Sequence, residues 1–335
     1  MSQKTHQLAP DLQICRILNG MWQVAGGHGK IDPESAISEM LLYHDSGFTT
    51  WDMADIYGPA EEYFGEFRRK IAKKKGESEL DKIQALTKFV PNSGPMSRSI
   101  VEHYIDKSIR RMNVDAIDVV QFHWWDYTDT RYLDALHHLS KIRDDGKIRH
   151  IGLTNFDTER IEIMVENGFN LVSNQVQYSV LDSRPEVMMA PFCQKHDIKL
   201  LTYGTLLGGF LSETYLGKPE PAKSHLYTFS LQKYKNMIDA WGGWALFQDL
   251  LEALDDIAKK HRVGIANVAT KYILDKPAVA GVIIGARLGI AKHISDNAKV
   301  FSLNLSRDDN EKIKSITSRS QDLFSSIGDC GSEYR

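Results

Sequence analysis

Cysteine is scarce in this chain, with three in 335 residues. Cys15, Cys193 and Cys330 are odd in number, far apart and without CxxC spacing, which excludes a disulfide framework and a zinc knuckle. Charge of one sign is missing too: 41 basic residues stand against 44 acidic ones, for a net charge of −3. A nucleic-acid binder carries a basic excess that neutralises phosphates, so no nucleic-acid partner is expected. The strongest basic run, Lys73-Lys74-Lys75, ends a polar helical pattern and reads as a solvated face. Long apolar runs are absent as well. The longest, around residues 279–286, is far short of the ~18 residues of a membrane span, and the first ten residues hold no signal-type apolar core. The expectation is a soluble, cytoplasmic protein with no membrane partner. Two phosphate-binding signatures are also lacking. No G-x-x-x-x-G-K-[ST] loop occurs, and Gly26-Gly27-His28-Gly29 lacks the third glycine of a G-x-G-x-x-G turn. A bound dinucleotide would therefore not sit on a Rossmann crossover.

What is present is an ordinary globular composition, 42% hydrophobic and 25% charged, which rules out collagen-like and largely disordered chains. Short β-branched or apolar runs alternate with longer helical patterns. Eight candidate strands fall at residues 14–18, 49–51, 83–86, 117–122, 151–153, 172–175, 200–202 and 282–284. Helix signals lie between them. Asp32-Pro33-Glu34 reads as an N-cap followed by proline at the first helical position, with Gly47 past the end. Asn113, Gly146 and Gly168 stop later patterns, Asp157 opens one, and Ser183-Arg184-Pro185-Glu186 opens another. Further helices are expected at 246–260, 265–274, 290–300 and 308–318. Eight strands alternating with helices and no linker predict a single-domain α/β fold, a (β/α)8 TIM barrel over residues 1–335. Its core covers about residues 10–305 and its tail 306–335. Residues 204–243 break the rhythm, and an irregular stretch of that length is usually functional or mobile.

In such a barrel the C-terminal strand ends face the reacting centre. Asp52, Asp55 and Tyr57 follow the second strand, Lys88 ends the third, and His123 then Trp124-Trp125 end the fourth. Four of these suggest one proton-transfer device. A phenol is a poor acid or base at neutral pH, but an ammonium such as Lys88 would favour phenolate at Tyr57. Asp52 would hold the lysine, and His123 could orient a carbonyl oxygen or relay a proton. Each residue taken singly has a plainer use: a turn aspartate, a surface lysine, a hydrogen-bonded core histidine, a tyrosine packing the Gly58-Pro59 turn. Their joint occurrence at consecutive strand exits favours the functional use. Metal ligation would need several His or carboxylates converging. Only His123 and Asp52, with a weak Asp55, Glu61, Glu62 cluster, are offered, and the adjacent His137 and His138 face apart, so no metal is expected.

These elements resemble the aldo-keto reductase family over nearly the whole chain. Residues 51–58, WDMADIYG, match its D-x-A-x-x-Y-G element. LTKF supplies Lys88 and VVQFHWW supplies His123. IGLTNF resembles G-x-S-N-F with Thr154 in place of serine, NQVQYS matches N-Q-x-x-Y, and GARLG with Asp296-Asn297 resembles the cofactor segment at the eighth strand.

The resemblance implies an NADPH/NADP cofactor, with NADH possible, and hydride transfer between it and a small-molecule carbonyl or alcohol. It assigns Asp52, Tyr57, Lys88 and His123 as the catalytic tetrad. Thr154, Asn155 and Gln175 would hold the carboxamide, and Tyr203 would stack on the nicotinamide. Gly20, Met21, Trp22 and Asp52 would line the ribose side. Gly285 would be a further cofactor-binding position, Arg287 would approach the adenosine phosphate, and Asp296 with Asn297 the adenine. His293, beside Lys292, stands where a second basic residue for the 2′-phosphate is often found, and Arg287 favours NADP because guanidinium pairs well with phosphate. Residues 204–243, including Leu206 and Gly208, would clamp the cofactor or shape the pocket. The alternative for that segment is a surface insertion with a local core of Trp241 and Trp244. Trp22, Tyr57, Trp124 and Trp125 are the expected substrate-pocket residues. The rival function is an NADPH-binding regulatory subunit resembling potassium-channel β subunits. The chain is expected as a monomer or small homo-oligomer.

Overall fold

The computed structural model describes residues 4–26, 31–290 and 293–334. Gly27, His28, Gly29 and Lys292, which the sequence singled out, lie outside the described residues. The strands are β1 (Thr5–Ala9), β2 (Leu12–Cys15), β3 (Ile17–Gly20), β4 (Thr50–Asp52), β5 (Gln84–Phe89), β6 (Ile117–Phe122), β7 (Ile148–Thr154), β8 (Ser173–Gln177), β9 (Lys199–Tyr203) and β10 (Val279–Gly285). β3 to β10 close in sequence order into an eight-stranded parallel barrel, with β10 returning to pair with β3. This is the (β/α)8 fold.

The helices are α1 (Pro33–Asp45), α2 (Ala60–Lys75), α3 (Arg98–Met112), α4 (Tyr132–Asp144), α5 (Thr158–Glu166), α6 (Met189–Lys195), α7 (Phe229–Trp241), α8 (Gly243–His261), α9 (Ile265–Leu274), α10 (Ile294–Lys299), α11 (Arg307–Thr317) and α12 (Leu323–Ile327). Their ends follow local chemistry. The Asp32 carboxylate accepts from the Ser35 N–H at 2.8 Å ahead of Pro33, and Asp157 accepts from the Arg160 N–H at 2.9 Å. Asn113 closes α3 with a left-handed φ of 53°. α2 and α3 approach so closely that a Cβ at Gly65 would stand 2.1 Å from the Arg111 carbonyl oxygen.

Three expectations need correction. The expected strand at 14–18 is two strands, because the chain changes sheet at Arg16. There its guanidinium binds the carbonyls of Val279 and Ala280 at 3.0 and 3.2 Å; β2 is paired back on β1, and β3 lies in the barrel. That hairpin buries Leu8, Leu12 and Ile14 against Leu18, Leu86, Val119, Leu201 and Ala280, packing beneath the barrel. Second, Ser183-Arg184-Pro185-Glu186 opens only a 3-10 turn, and the helix waits until Met189. Third, residues 204–243 are not structureless. They contain α7, capped by the Thr228 hydroxyl at 3.1 Å from the Leu231 N–H. Trp241 is 1% exposed in a second core with Phe210, Ile238, Phe247 and Leu250. Trp244 lies at its edge and donates from Nε1 to the Lys218 carbonyl at 2.9 Å.

Candidate active site

A parallel strand covered on both faces is normally apolar, and a buried polar side chain there needs a partner. Four inward residues of this barrel are polar and satisfy one another. Asp52 ends β4, Lys88 sits in β5, Gln121 in β6 and Gln175 in β8, all at most 5% exposed. The Lys88 ammonium donates to Asp52 Oδ2 at 2.6 Å and to the Met53 carbonyl at 3.1 Å. Asp52 Oδ1 accepts from Nε2 of Gln121 and of Gln175, each at 2.7 Å, and Gln175 Nε2 is 2.6 Å from Gln121 Oε1. Burial pushes the Lys88 ammonium below the usual lysine value, against the opposing pull of Asp52 and Asp55.

Tyr57 follows in the turn after β4. The Lys88 Nζ lies 5.0 Å from the centroid of its ring. Trp22, 41% exposed, meets the same ring edge-on at 5.0 Å. His123 is buried just past β6, with Nδ1 3.1 Å from the Thr154 carbonyl. A carbonyl only accepts, so Nδ1 carries the hydrogen; that tautomer is assigned from its partner. Trp125, 43% exposed, stands edge-on to His123 at 4.4 Å. Two half-open tryptophans thus frame Tyr57 and His123. Trp124 does not join them: its ring is fully buried beside Phe122 and its Nε1 donates to the Asp129 carbonyl at 2.8 Å. It packs in the core rather than forming a pocket wall, its ring in van der Waals contact with Phe122 and its N–H spent on a backbone carbonyl.

Other expected residues divide between mouth and interior. Asn155 follows β7 with φ of 59°, and its Oδ1 accepts from the Tyr203 hydroxyl at 2.8 Å. Thr154 is buried, its hydroxyl 3.4 Å from the Gln175 carbonyl. The Gln175 amide N–H group is turned into the Asp52 network, and Met21 is buried in the core. The Gln23 side chain lies across Gly285, where a Cβ would stand 2.2 Å from Nε2. At the β9 exit Leu206 is half-buried and Gly208 exposed; at the β10 exit Arg287 and His293 are exposed. Asn267 donates to the Asp296 carbonyl at 3.0 Å and Lys299 to its Oδ1 at 2.9 Å, while the Asn297 N–H bonds the His293 carbonyl. Asp296 therefore ties α10 to α9 as it stands.

Gln121 was missed from the sequence. Its signal was available, because it precedes His123 by two residues and so shares its phase along the strand. Glu333 was also missed. It comes from the C-terminal segment, with Oε1 3.3 Å from the Tyr203 hydroxyl and Oε2 3.0 Å from Arg184 Nη1. Among the described residues no group of three His, Cys, Asp or Glu could hold a metal, and no helix is long and apolar enough to cross a membrane.

The structure thus gathers an acid, a lysine, a tyrosine and a histidine at the C-terminal strand ends of a parallel barrel. The Aldo/keto reductase family model matches residues 16–318, and the chain belongs to that family of NAD(P)-dependent oxidoreductases. It is 28% identical to flagellar radial spoke protein 5 of Chlamydomonas reinhardtii, over 66% of this chain and 49% of that one, so it spans about half of that relative's length. It is 24% identical to the NADH-specific methylglyoxal reductase of Escherichia coli, over 89% of this chain and 93% of that one. The fold is shared with an aldo/keto reductase from Klebsiella pneumoniae solved with NADP and acetate. The TM-score is 0.71 at 20% identity, covering 94% of this chain and 95% of that one.

Proposed function

We propose that this chain reduces an aldehyde or ketone to an alcohol, or runs the reverse, with NADPH and with NADH as a possible substitute. Tyr57 is the general acid/base. The observation that carries this reading is the placement of the Tyr57 ring 5.0 Å from an ammonium that is itself fixed by Asp52.

The donor set suits a nicotinamide dinucleotide. Asn155 and Tyr203 stand together at the mouth, and the exposed Arg287 and His293 lie at the β10 end, where phosphate would be met. When bound, the cofactor supplies or accepts the hydride. Thr154, Asn155 and Gln175 would hold its carboxamide, with the Gln175 amide leaving the Asp52 network to do so. Tyr203 would present an aromatic face to the ring, fixing which side transfers hydride.

In reduction the Tyr57 hydroxyl gives its proton to the substrate oxygen as the carbonyl carbon receives the hydride. Lys88 favours the phenolate that remains, and Asp52, braced by Gln121, keeps the lysine in place. His123 meets the same oxygen through Nε2. With Nδ1–H committed to Thr154, Nε2 donates only when the ring is protonated. Trp22 and Trp125 shape an aromatic rim for the carbonyl's substituent.

The test is turnover with a panel of aldehydes and ketones, NADPH and NADH side by side, with and without a chelator. We expect NADPH-dependent turnover that the chelator leaves unchanged, and its loss in Tyr57→Phe with cofactor binding, read by tryptophan fluorescence, retained. A Tyr57→Phe variant as fast as the parent would overturn the assignment. Cofactor binding with negligible turnover across the panel would point to the regulatory role instead.

A further inference from the structure

One carboxyl in the catalytic turn remains without a role. Asp55 lies between Asp52 and Tyr57, and its neighbours tie that turn to β5. The Lys88 N–H donates to the Met53 carbonyl at 3.2 Å, and the Asp55 N–H donates to the Lys88 carbonyl at 3.1 Å. The backbone pairing then ends. The Asp55 side chain carries it one step further, its Oδ2 accepting from the Val90 N–H at 3.2 Å. The link therefore brackets Lys88 on one strand and sits two residues before Tyr57 on the other.

We propose that Asp55 is a positioning residue, which clamps the Tyr57 turn to the β5 exit and thereby sets the spacing of Tyr57 and Lys88. The inference rests on the reading of Tyr57 as general acid/base.

The surroundings of the carboxyl give it a second property. Oδ1 is shielded from solvent and makes no hydrogen bond. The charged groups facing it are Glu61 from α2, Lys107 and Arg111 from α3, and Lys88 from β5. Arg111 is largely committed elsewhere, to Glu61 at 3.3 Å and Glu62 at 2.9 Å, and reaches only the Asp55 carbonyl, at 3.4 Å. Burial, with the like charge of Glu61 adding to it, outweighs the Val90 bond and the two cations and pushes the carboxyl up to about 7. Below that pH the clamp is neutral. Above it, Asp55 adds a negative charge beside Lys88, which keeps the ammonium protonated and opposes loss of the Tyr57 proton.

The experiment compares Asp55→Asn and Asp55→Ala with the parent and with Tyr57→Phe. The readouts are kcat and KM for a carbonyl with NADPH over about pH 5.5 to 9.5, and NADPH binding by fluorescence. Asparagine keeps an acceptor for Val90 and cannot ionise. We expect Asp55→Ala to lower kcat about tenfold or more at every pH, with KM for NADPH unchanged. Asp55→Asn should hold kcat at pH 6 within about twofold of the parent. Its alkaline fall in reduction should move to lower pH by about half a unit or more, because the added charge is gone. Profiles of Asp55→Asn that superimpose on the parent, or an Asp55→Ala as active as the parent, overturn the proposal. If Asp55→Ala does not fold, the Asp55→Asn profile decides alone. A fully active Tyr57→Phe instead overturns the reading beneath it.

Discussion

Gln121 donates to Asp52 at 2.7 Å from near the C-terminal end of β6, whose next inward residue toward the barrel floor is Val119. The contact is a hydrogen bond to a carboxylate in an interior closed to water, where such bonds are worth more than neutral ones. It also accepts from Gln175 in return, so one side chain ties β4, β6 and β8 together across the barrel.

Replacing it separates shape from charge. Gln121→Leu keeps most of the volume but removes a donor from Asp52 and an acceptor from Gln175. We expect a loss of about 2–3 kcal/mol in urea unfolding. Gln121→Glu puts a second carboxylate against Asp52 and should cost more at pH 7 than the leucine variant. A leucine variant as stable as the parent would show that the contact contributes nothing.

Lys88→Met tests the partner on the other oxygen of Asp52. The two side chains are 6% and 4% exposed, so removing the cation leaves a buried carboxylate with only its two glutamine donors. Breaking such a pair costs about 3–5 kcal/mol. The catalytic effect should be separate and larger in ratio. kcat should fall about 10²–10⁴-fold, the usual range for a proton-transfer device, with cofactor affinity nearly unchanged. Thermal unfolding and steady-state kinetics on one preparation distinguish the two losses.

The barrel was legible because short strand-like runs alternate with longer patterns bounded by helix signals. The expected strand at 117–122 matches β6 residue for residue. Asp52 meets Lys88 as their consecutive strand exits suggested, whereas the bond from Gln175 to Asp52 was not expected. Legibility failed where long-range contacts override local pattern. One apparent strand is split at Arg16, whose guanidinium binds carbonyls more than 260 residues away. Trp124 and Trp125 are neighbours with equal propensity, yet one is buried and the other half-open. α7 hides in a segment rich in Gly and Pro, although Leu231, Tyr234, Ile238 and Trp241 carry helical spacing. Glu333 reaches Tyr203 across 130 residues, which no local motif announces.

Acid stability should depend on Asp309, far from the mouth. Its carboxylate accepts from Lys260 at 2.7 Å, from His261 at 2.8 Å and from the Ser306 N–H at 2.8 Å. Burial alone would raise its pKa, but the Lys260, His261 and Ser306 bonds outweigh it and hold the carboxyl well below the usual carboxylate range. A carboxyl depressed in the folded state contributes stability above its unfolded value, about 4, and loses it as pH falls toward the folded value. Asp309→Asn should therefore cost about 2 kcal/mol at pH 7 and progressively less below about pH 4, converging on the parent in strong acid. Urea midpoints at several pH values check this; a gap independent of pH would contradict it.

The C-terminal segment should be held through Arg184. That guanidinium is 1% exposed, donates twice to Asp182 at 2.8 Å and once to Glu333 at 3.0 Å, and faces the carbonyls of Gly328 and Asp329 at 3.4 Å. Arg184→Met strands two buried carboxylates, at a cost of about 3–5 kcal/mol. The loss should be local first. The tail's remaining anchors include the Thr158 N–H on Asp329 at 2.7 Å, so residues 328–334 should loosen before the barrel does. Carboxypeptidase should then trim Arg184→Met much faster than the parent. Glu333→Gln, which keeps an acceptor for Arg184 and leaves Asp182 paired, should fall between them. Equal trimming of all three would show that the tail is held by its apolar contacts, Leu323 and Cys330 among them, and not by the ion cluster.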